Sequence, residues 1–196
     1  MAAKKKAAKK TVKKVAKKAV KKTVKKTATK APAKIVKKAG PAAASLLGKA
    51  APDFAMPTDD GSVIKLKDLR GKRVVLYFYP KDDTPGCTVE ACAFRDGVPK
   101  FKTAKAVVIG VSKDSVASHA KFKAKYKLTF PLASDANSKV CEAYGVWKEK
   151  SMYGRTFMGI ERSTFIIGAD GIVRAEWRKV SVAGHADEVT KTLRVL

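Results

Sequence analysis

Three cysteines, Cys87, Cys92 and Cys141, stand in a chain of 196 residues, and two of them share the segment PKDDTPGCTVEAC. The nucleophilic form of cysteine is the thiolate, so the useful question is which sulfur sits where negative charge is welcome. Cys87 follows the Pro85-Gly86 turn behind an apolar run, where a helix is expected to begin. Free backbone N–H groups and the positive end of the helix dipole favour an ionised sulfur at such a place. Thr84, three residues earlier, offers a hydroxyl that could hold a small polar substrate over it. Cys92 lies five residues on, which on a helix is about 7.5 Å along the axis and about 140° around it. Disulfide-bonded cysteines keep their Cα atoms within about 6.8 Å, so this pair can join only if the helix unwinds. That suits two thiols that are reduced at rest and close after one has been oxidised. Cys141, in an apolar helix-like stretch, reads as a small buried hydrophobe.

Other residue types set bounds. An odd number of cysteines with no apolar leader ahead of them argues against a secreted disulfide scaffold, and no apolar run is long enough for a bilayer. The expected setting is a soluble, reducing one, the cytoplasm. His119 and His185 have no cysteine or carboxylate at metal-ligand spacing, and no glycine-rich phosphate loop is present, so neither a metal nor a cofactor is expected. Asp82, Asp83 and Glu90 read as solvated loop charge and, for Glu90, as an acid favoured by the first turn of a helix. Trp147 and Trp177 read as packing residues.

The elements that must hold these groups can be laid out from residue 53 onward. Residues 73–79 (RVVLYFY) form a β-branched and aromatic run suited to a strand buried on both faces, and residues 106–111 (AVVIGV) form a second. Between them the loop 80–86 leads into a helix starting at about Cys87, and open α/β sheets place their chemistry at such strand ends. Residues 62–66 alternate like a short strand. Residues 114–127 predict a helix capped by Asp114 or Ser115, and 138–144 a short one. Residues 162–167 and 172–177 predict a hairpin about Asp170-Gly171. A last helix over 186–196 places Val189, Leu193 and Leu196 on one face. Strands alternating with helices and closing on a hairpin and a helix imply a three-layer α/β domain over residues 46–196.

Residues 1–45 have another character. The first 50 residues hold 18 lysines and no Asp, Glu, Arg or aromatic residue. Without those 18, the 43 basic residues fall to 25 against 17 acidic ones, so the net charge of +26 shrinks to +8 for the rest. Pairs recur with a period of four at Lys9, Lys10, Lys13, Lys14, Lys17, Lys18, Lys21, Lys22, Lys25 and Lys26. That period drifts about 40° per repeat on a helix and sets lysines at i and i+4, which repel. The tail is expected to be disordered when free, to become helical if a polyanion neutralises it, and to bind DNA or RNA without reading sequence. It lacks the aromatic anchors of a membrane-surface segment. Residues 42–51 read as a linker.

Pro80, Thr84 and Cys87 stand as P-x-x-x-T-x-x-C, and with TPGCTVEAC, APDF, VCEAYGVW and GIERSTFIIGADG they make residues 48–196 resemble the peroxiredoxins, in particular the bacterioferritin-comigratory or Q-type branch. The resemblance implies a thioredoxin-like fold and a thiol peroxidase with no cofactor, reducing hydroperoxides and recycled by thioredoxin or a similar dithiol. It implies that Cys87 is the peroxidatic cysteine, Cys92 the resolving one, Thr84 a hydrogen-bond partner of the peroxide, and Arg162 the guanidinium that holds thiolate and peroxide. From the residues alone, Arg162 reads equally as a solvated strand residue. Pro80 and Pro85 shape the turn. A monomer is expected, placed in the cytoplasm or, through the tail, on nucleic acid in a nucleoid or nucleus. Two other classes compete: a nucleic-acid-binding redox sensor led by the tail, and a disulfide-exchange protein, the latter disfavoured by C-x4-C spacing in place of C-x-x-C.

Overall fold

The computed structural model describes residues 45–196 apart from Tyr153, and the lysine pairs and the expected disorder of the tail lie outside the described residues. In chain order the strands are β1 (Ala55–Pro57), β2 (Val63–Lys65), β3 (Arg73–Phe78), β4 (Ala106–Ser112), β5 (Leu132–Ser134), β6 (Trp147–Met152), β7 (Arg155–Ile160), β8 (Ser163–Ile167) and β9 (Val173–Arg178). The helices are α1 (Pro85–Thr103), α2 (Val116–Tyr126), α3 (Lys139–Ala143) and α4 (His185–Val195). One sheet of five strands runs in the order β5-β4-β3-β8-β9, with β3, β4 and β5 parallel and β8 and β9 antiparallel to their neighbours.

β3 is the centre because its residues can face two cores at once. Val74, Leu76 and Phe78 enter the layer shared with α3, β8 and the β1–β2 side, while Val75, Tyr77 and the following Tyr79 enter the layer under α1, α2 and α4. All six are at most 1% exposed. At about 1.5–3 kcal/mol for each large apolar side chain, this strand makes a large single contribution to the fold. Close packing shows at Gly110 on β4, where a Cβ would lie 2.6 Å from the Tyr77 hydroxyl and 2.8 Å from a Leu132 methyl. Only glycine lets Tyr77 lie across that strand. The three-layer, thioredoxin-like arrangement expected from the alternation is therefore present.

Several elements differ from the sequence-based expectation. α1 begins at Pro85 with Thr84 as its N-cap, so Cys87 is the third helical residue and not the first. Proline at the first position is favoured because the N–H it lacks has no partner there. α2 is capped by Ser115, whose Oγ accepts from the Ser118 N–H at 3.3 Å, and it ends at Lys127 in the left-handed region. Leu196 is 44% exposed while Val189 and Leu193 are buried, so the apolar face of α4 stops one turn short of the chain end. The β6–β7 hairpin and the three-residue strands β1 and β5 were not anticipated. The linker over 42–51 is in part docked: the Gly48 N–H donates to Val173, the Val173 N–H to Lys49, and Ala50 bridges Ile172, so this strip lies against the outer edge of β9.

Candidate functional site

β3 ends where the antiparallel β8 begins, with Phe78 opposite Ser163. Past the end of β3 the chain forms the loop 80–84 and enters α1, while just ahead of β8 stands Arg162. The sheet therefore brings residues 75 positions apart into one place. Arg162 Nη2 donates to the Cys87 Sγ at 3.2 Å, and its Nη1 donates to Glu90 Oε2. Arg162 precedes the strand that was expected to contain it, and its side chain is only 15% exposed. The solvated-strand reading of Arg162 is thereby replaced by a contact with the sulfur.

Cys87 is 2% exposed and lies on the first turn of α1, next to the Arg162 guanidinium. A fixed guanidinium beside a helix N-terminus is a place where negative charge on sulfur is held. Thr84 is partly buried, and its hydroxyl donates to the Lys81 carbonyl at 3.1 Å. Its lone pairs are thus what it offers to an incoming O–H. Pro80 and Pro85 flank this loop, both exposed. Cys92 lies half-buried on the same unbroken helix, and all three cysteines are free thiols.

Glu90 corrects the expectation of a solvated first-turn acid. It is 1% exposed, one turn beyond Cys87, and paired with Arg162. Burial pushes its pKa up to about 7, with the Arg162 charge pulling the other way. Asp82 is the second correction: its carboxylate is buried and accepts from Tyr79, Ser118 and His119. Single charged letters after a strand carry no sign of burial; apart from Tyr79, the partners that bury them, Ser118, His119 and Arg162, lie 36 or more residues away. A further cation, Lys150 of β6, donates to the Ile160 carbonyl two residues ahead of Arg162, and burial lowers its pKa.

Cys141 is 0% exposed on α3, its N–H donating to Asp135 Oδ2 at 2.7 Å. Burial and then the Asp135 carboxylate push its thiol pKa far up. Trp147 packs against the core with Lys113 Nζ 4.3 Å over its ring, and Trp177 Nε1 donates to Glu188, so both tryptophans pack as expected. Chemically, the arrangement can hold a thiolate at Cys87 and receive a small molecule with a polar O–H between Thr84 and Arg162.

The AhpC/TSA family model matches residues 47–176. Peroxiredoxin Bcp of Bacillus subtilis is 51% identical over 148 residues, covering 76% of this chain and 94% of that protein. Peroxiredoxin Bcp of Xanthomonas campestris is 47% identical over 148 residues, covering 76% and 92%. Among solved structures, the Xanthomonas campestris bacterioferritin comigratory protein, described for its alkyl peroxide reduction activity in trapped intermediate and ligand complexes, aligns with a TM-score of 0.70 at 46% identity. It covers 72% of this chain and 90% of that one.

Proposed function

The chain belongs to the AhpC/TSA family and is a peroxiredoxin, a thiol peroxidase; from that premise we propose that Cys87 is its peroxidatic cysteine, Cys92 its resolving cysteine, and hydrogen peroxide and organic hydroperoxides its substrates. The observation that carries this reading is the 3.2 Å contact from Arg162 to the Cys87 sulfur at the start of α1.

The Cys87 thiolate attacks the terminal oxygen of ROOH. The S–O bond forms as the O–O bond breaks, RO⁻ leaves and takes a proton to become ROH, and sulfur is left as a sulfenic acid. Arg162 keeps its charge throughout and presents donors in a fixed fork to the oxygens between which charge moves. Thr84 accepts the hydroperoxide O–H. The Cys92 thiol then attacks the sulfenic sulfur, water leaves, and a Cys87–Cys92 disulfide results. This step requires the start of α1 to unwind. Thioredoxin or a similar dithiol returns the pair to thiols and is itself oxidised to a disulfide. All the residues named come from one chain, so a monomer suffices. The similarity to a protein described for alkyl peroxide reduction supports organic hydroperoxides as substrates. The test is turnover of hydrogen peroxide and cumene hydroperoxide with thioredoxin, thioredoxin reductase and NADPH, in wild type and in Cys87→Ser. Equal turnover by the two proteins would overturn the assignment.

The tail supports a second, additive role. Eighteen lysines in 50 residues without one acid favour non-specific binding to DNA or RNA by counterion release, with the lysine pairs from Lys9 to Lys26 as the contacts. Such binding would keep a peroxide scavenger on nucleic acid. Affinity is expected to fall with salt at a log–log slope of about −0.9 per phosphate contacted. Deleting residues 1–45 is expected to abolish binding and spare peroxidase turnover, because the matched relatives correspond to the remaining domain. Equal affinity of the two proteins for DNA at low salt would refute this role.

A further inference from the structure

The loop that delivers Thr84 and Cys87 has only five residues, Pro80 to Thr84, and Asp83 within it has φ +54, a conformation that must be held from outside. Asp82 Oδ1 accepts from the Tyr79 hydroxyl at 2.7 Å, and Oδ2 accepts from the Ser118 hydroxyl at 2.7 Å. His119 Nδ1 lies 2.9 Å from Oδ2 and 3.1 Å from Oδ1. The Asp82 N–H donates to Asp114 Oδ2 at 2.8 Å, and that oxygen also accepts from the Ser112 hydroxyl. Asp83 accepts from Lys125 Nζ at 2.7 Å and the Tyr126 hydroxyl at 2.6 Å. Apart from Tyr79, which directly follows β3, every partner belongs to the end of β4, to the β4–α2 turn or to α2. None belongs to α1.

His119 is 0% exposed, and among the described residues its Nε2 has no hydrogen-bond partner. Its polar contacts are confined to Asp82 and, at 3.4 Å, the Tyr79 hydroxyl. A ring with a proton on Nδ1 faces the carboxylate with a donor. The Thr84 carbonyl, at the far end of the loop, accepts the Thr88 N–H at 2.9 Å, the bond that starts α1. Where the loop holds Thr84, the helix has its first acceptor, and the start of a helix is its costly part.

We propose that Asp82 and His119 are positioning residues for the peroxidatic cysteine: their charge-assisted clamp anchors the loop to α2 independently of α1, and so weights the wound start of α1, which presents Cys87 and Thr84 to peroxide, against the unwound start, in which Cys87 can reach Cys92. This rests on the assignment of Cys87 and Cys92 above. The sequence-based reading had Asp82 as a solvated charge and gave His119 no role.

Stopped-flow measurement on the full chain separates the second-order oxidation of Cys87 by hydrogen peroxide from the first-order closure of the disulfide. Each variant is assayed well below its own melting temperature, so that global destabilisation does not enter. Asp82→Asn keeps the shape and loses the charge; it is expected to slow oxidation by about tenfold, leave closure unslowed, and raise the peroxide dose needed to over-oxidise Cys87. His119→Asn, whose amide N–H can stand in for Nδ1–H, is expected to keep most of the oxidation rate, and His119→Leu to lose it. If His119→Leu does not fold, the contrast between Asp82→Asn and His119→Asn carries the test. Oxidation in Asp82→Asn within about twofold of wild type would overturn the proposal, as would equal slowing of oxidation and closure, the sign of mere scaffolding. Failure of wild-type Cys87 to react with peroxide would instead sink the functional assignment itself, so the two failures are distinguishable.

Discussion

The starts of α1 and α3 each bury a cysteine, at 2% exposure for Cys87 and 0% for Cys141, yet they prepare opposite chemistry. The Cys87 sulfur meets the Arg162 guanidinium at 3.2 Å, whereas beside the Cys141 thiol stands the carboxylate of Asp135, which also accepts the Cys141 N–H. Burial disfavours charge on either sulfur and is the larger cause of the raised pKa at Cys141. What differs between the two places is the sign of the charge packed beside the cysteine. α1 is also long, with 19 residues, while α3 has five, between Ser138 and Tyr144.

The contrast can be broken most forcefully at the two sulfurs. Cys87→Ser is expected to lower peroxide turnover by several orders of magnitude, because an alcohol is a poor nucleophile at neutral pH, while Cys141→Ala leaves turnover in place. A steady-state peroxidase assay reads both, and loss of activity in the second variant would erase the distinction. Arg162→Lys keeps the charge and loses the planar fork, so the second-order rate with peroxide is expected to fall roughly tenfold to a hundredfold. An unchanged rate would return Arg162 to the role of a structural ion-pair partner.

Cys92→Ser sharpens the comparison by asking which thiol resolves. It is expected to consume one equivalent of peroxide, lose thioredoxin-supported turnover and over-oxidise at Cys87. Mass spectrometry of peroxide-treated wild type is expected to show Cys87 joined to Cys92; a Cys87–Cys141 bond would reverse the roles given to α1 and α3. The smallest effect concerns Glu90, whose pKa rises from 4.5 to about 7 on folding because the carboxyl is buried. Between those values the folded chain keeps a proton that the unfolded chain releases, so stability is lost as pH rises through that window. Relative to Glu90→Gln, wild type is expected to lose on the order of 1 kcal/mol between pH 5 and 8, measured by urea unfolding. Parallel stability curves would show that the carboxyl is not held neutral.

The placing of Thr84, Cys87 and Cys92 at the start of a helix was legible because its signals are local: a turn, a helix start and a spacing of five. Arg162 was legible only through resemblance, since its partner lies 75 positions away and a single arginine ahead of a strand looks like any solvated one. Glu90 and Asp82 were misread for the same reason. Their charges are buried by Arg162, Ser118 and His119, and only the folded sheet brings those groups near. The central strands β3 and β4 announced themselves as apolar runs. β6 and β7 did not, because lysines interrupt the first and Arg155 to Met158 of the second are exposed, leaving no alternation to read.

The strip from Leu46 to Ala51 has a consequence for how the domain behaves toward its own kind. β9 is the last strand of the sheet, and an unpaired edge is a template for pairing with another chain. Here the Gly48 and Ala51 N–H groups donate to Val173 and Gly171 and the Leu46 N–H is held by the Glu176 side chain at 2.9 Å, so the strip covers the start of that edge. The junction between the basic tail and the enzyme therefore also shields the start of that edge: a cut before Leu46 leaves the strip in place, and a cut after Ala51 bares the backbone of Val173.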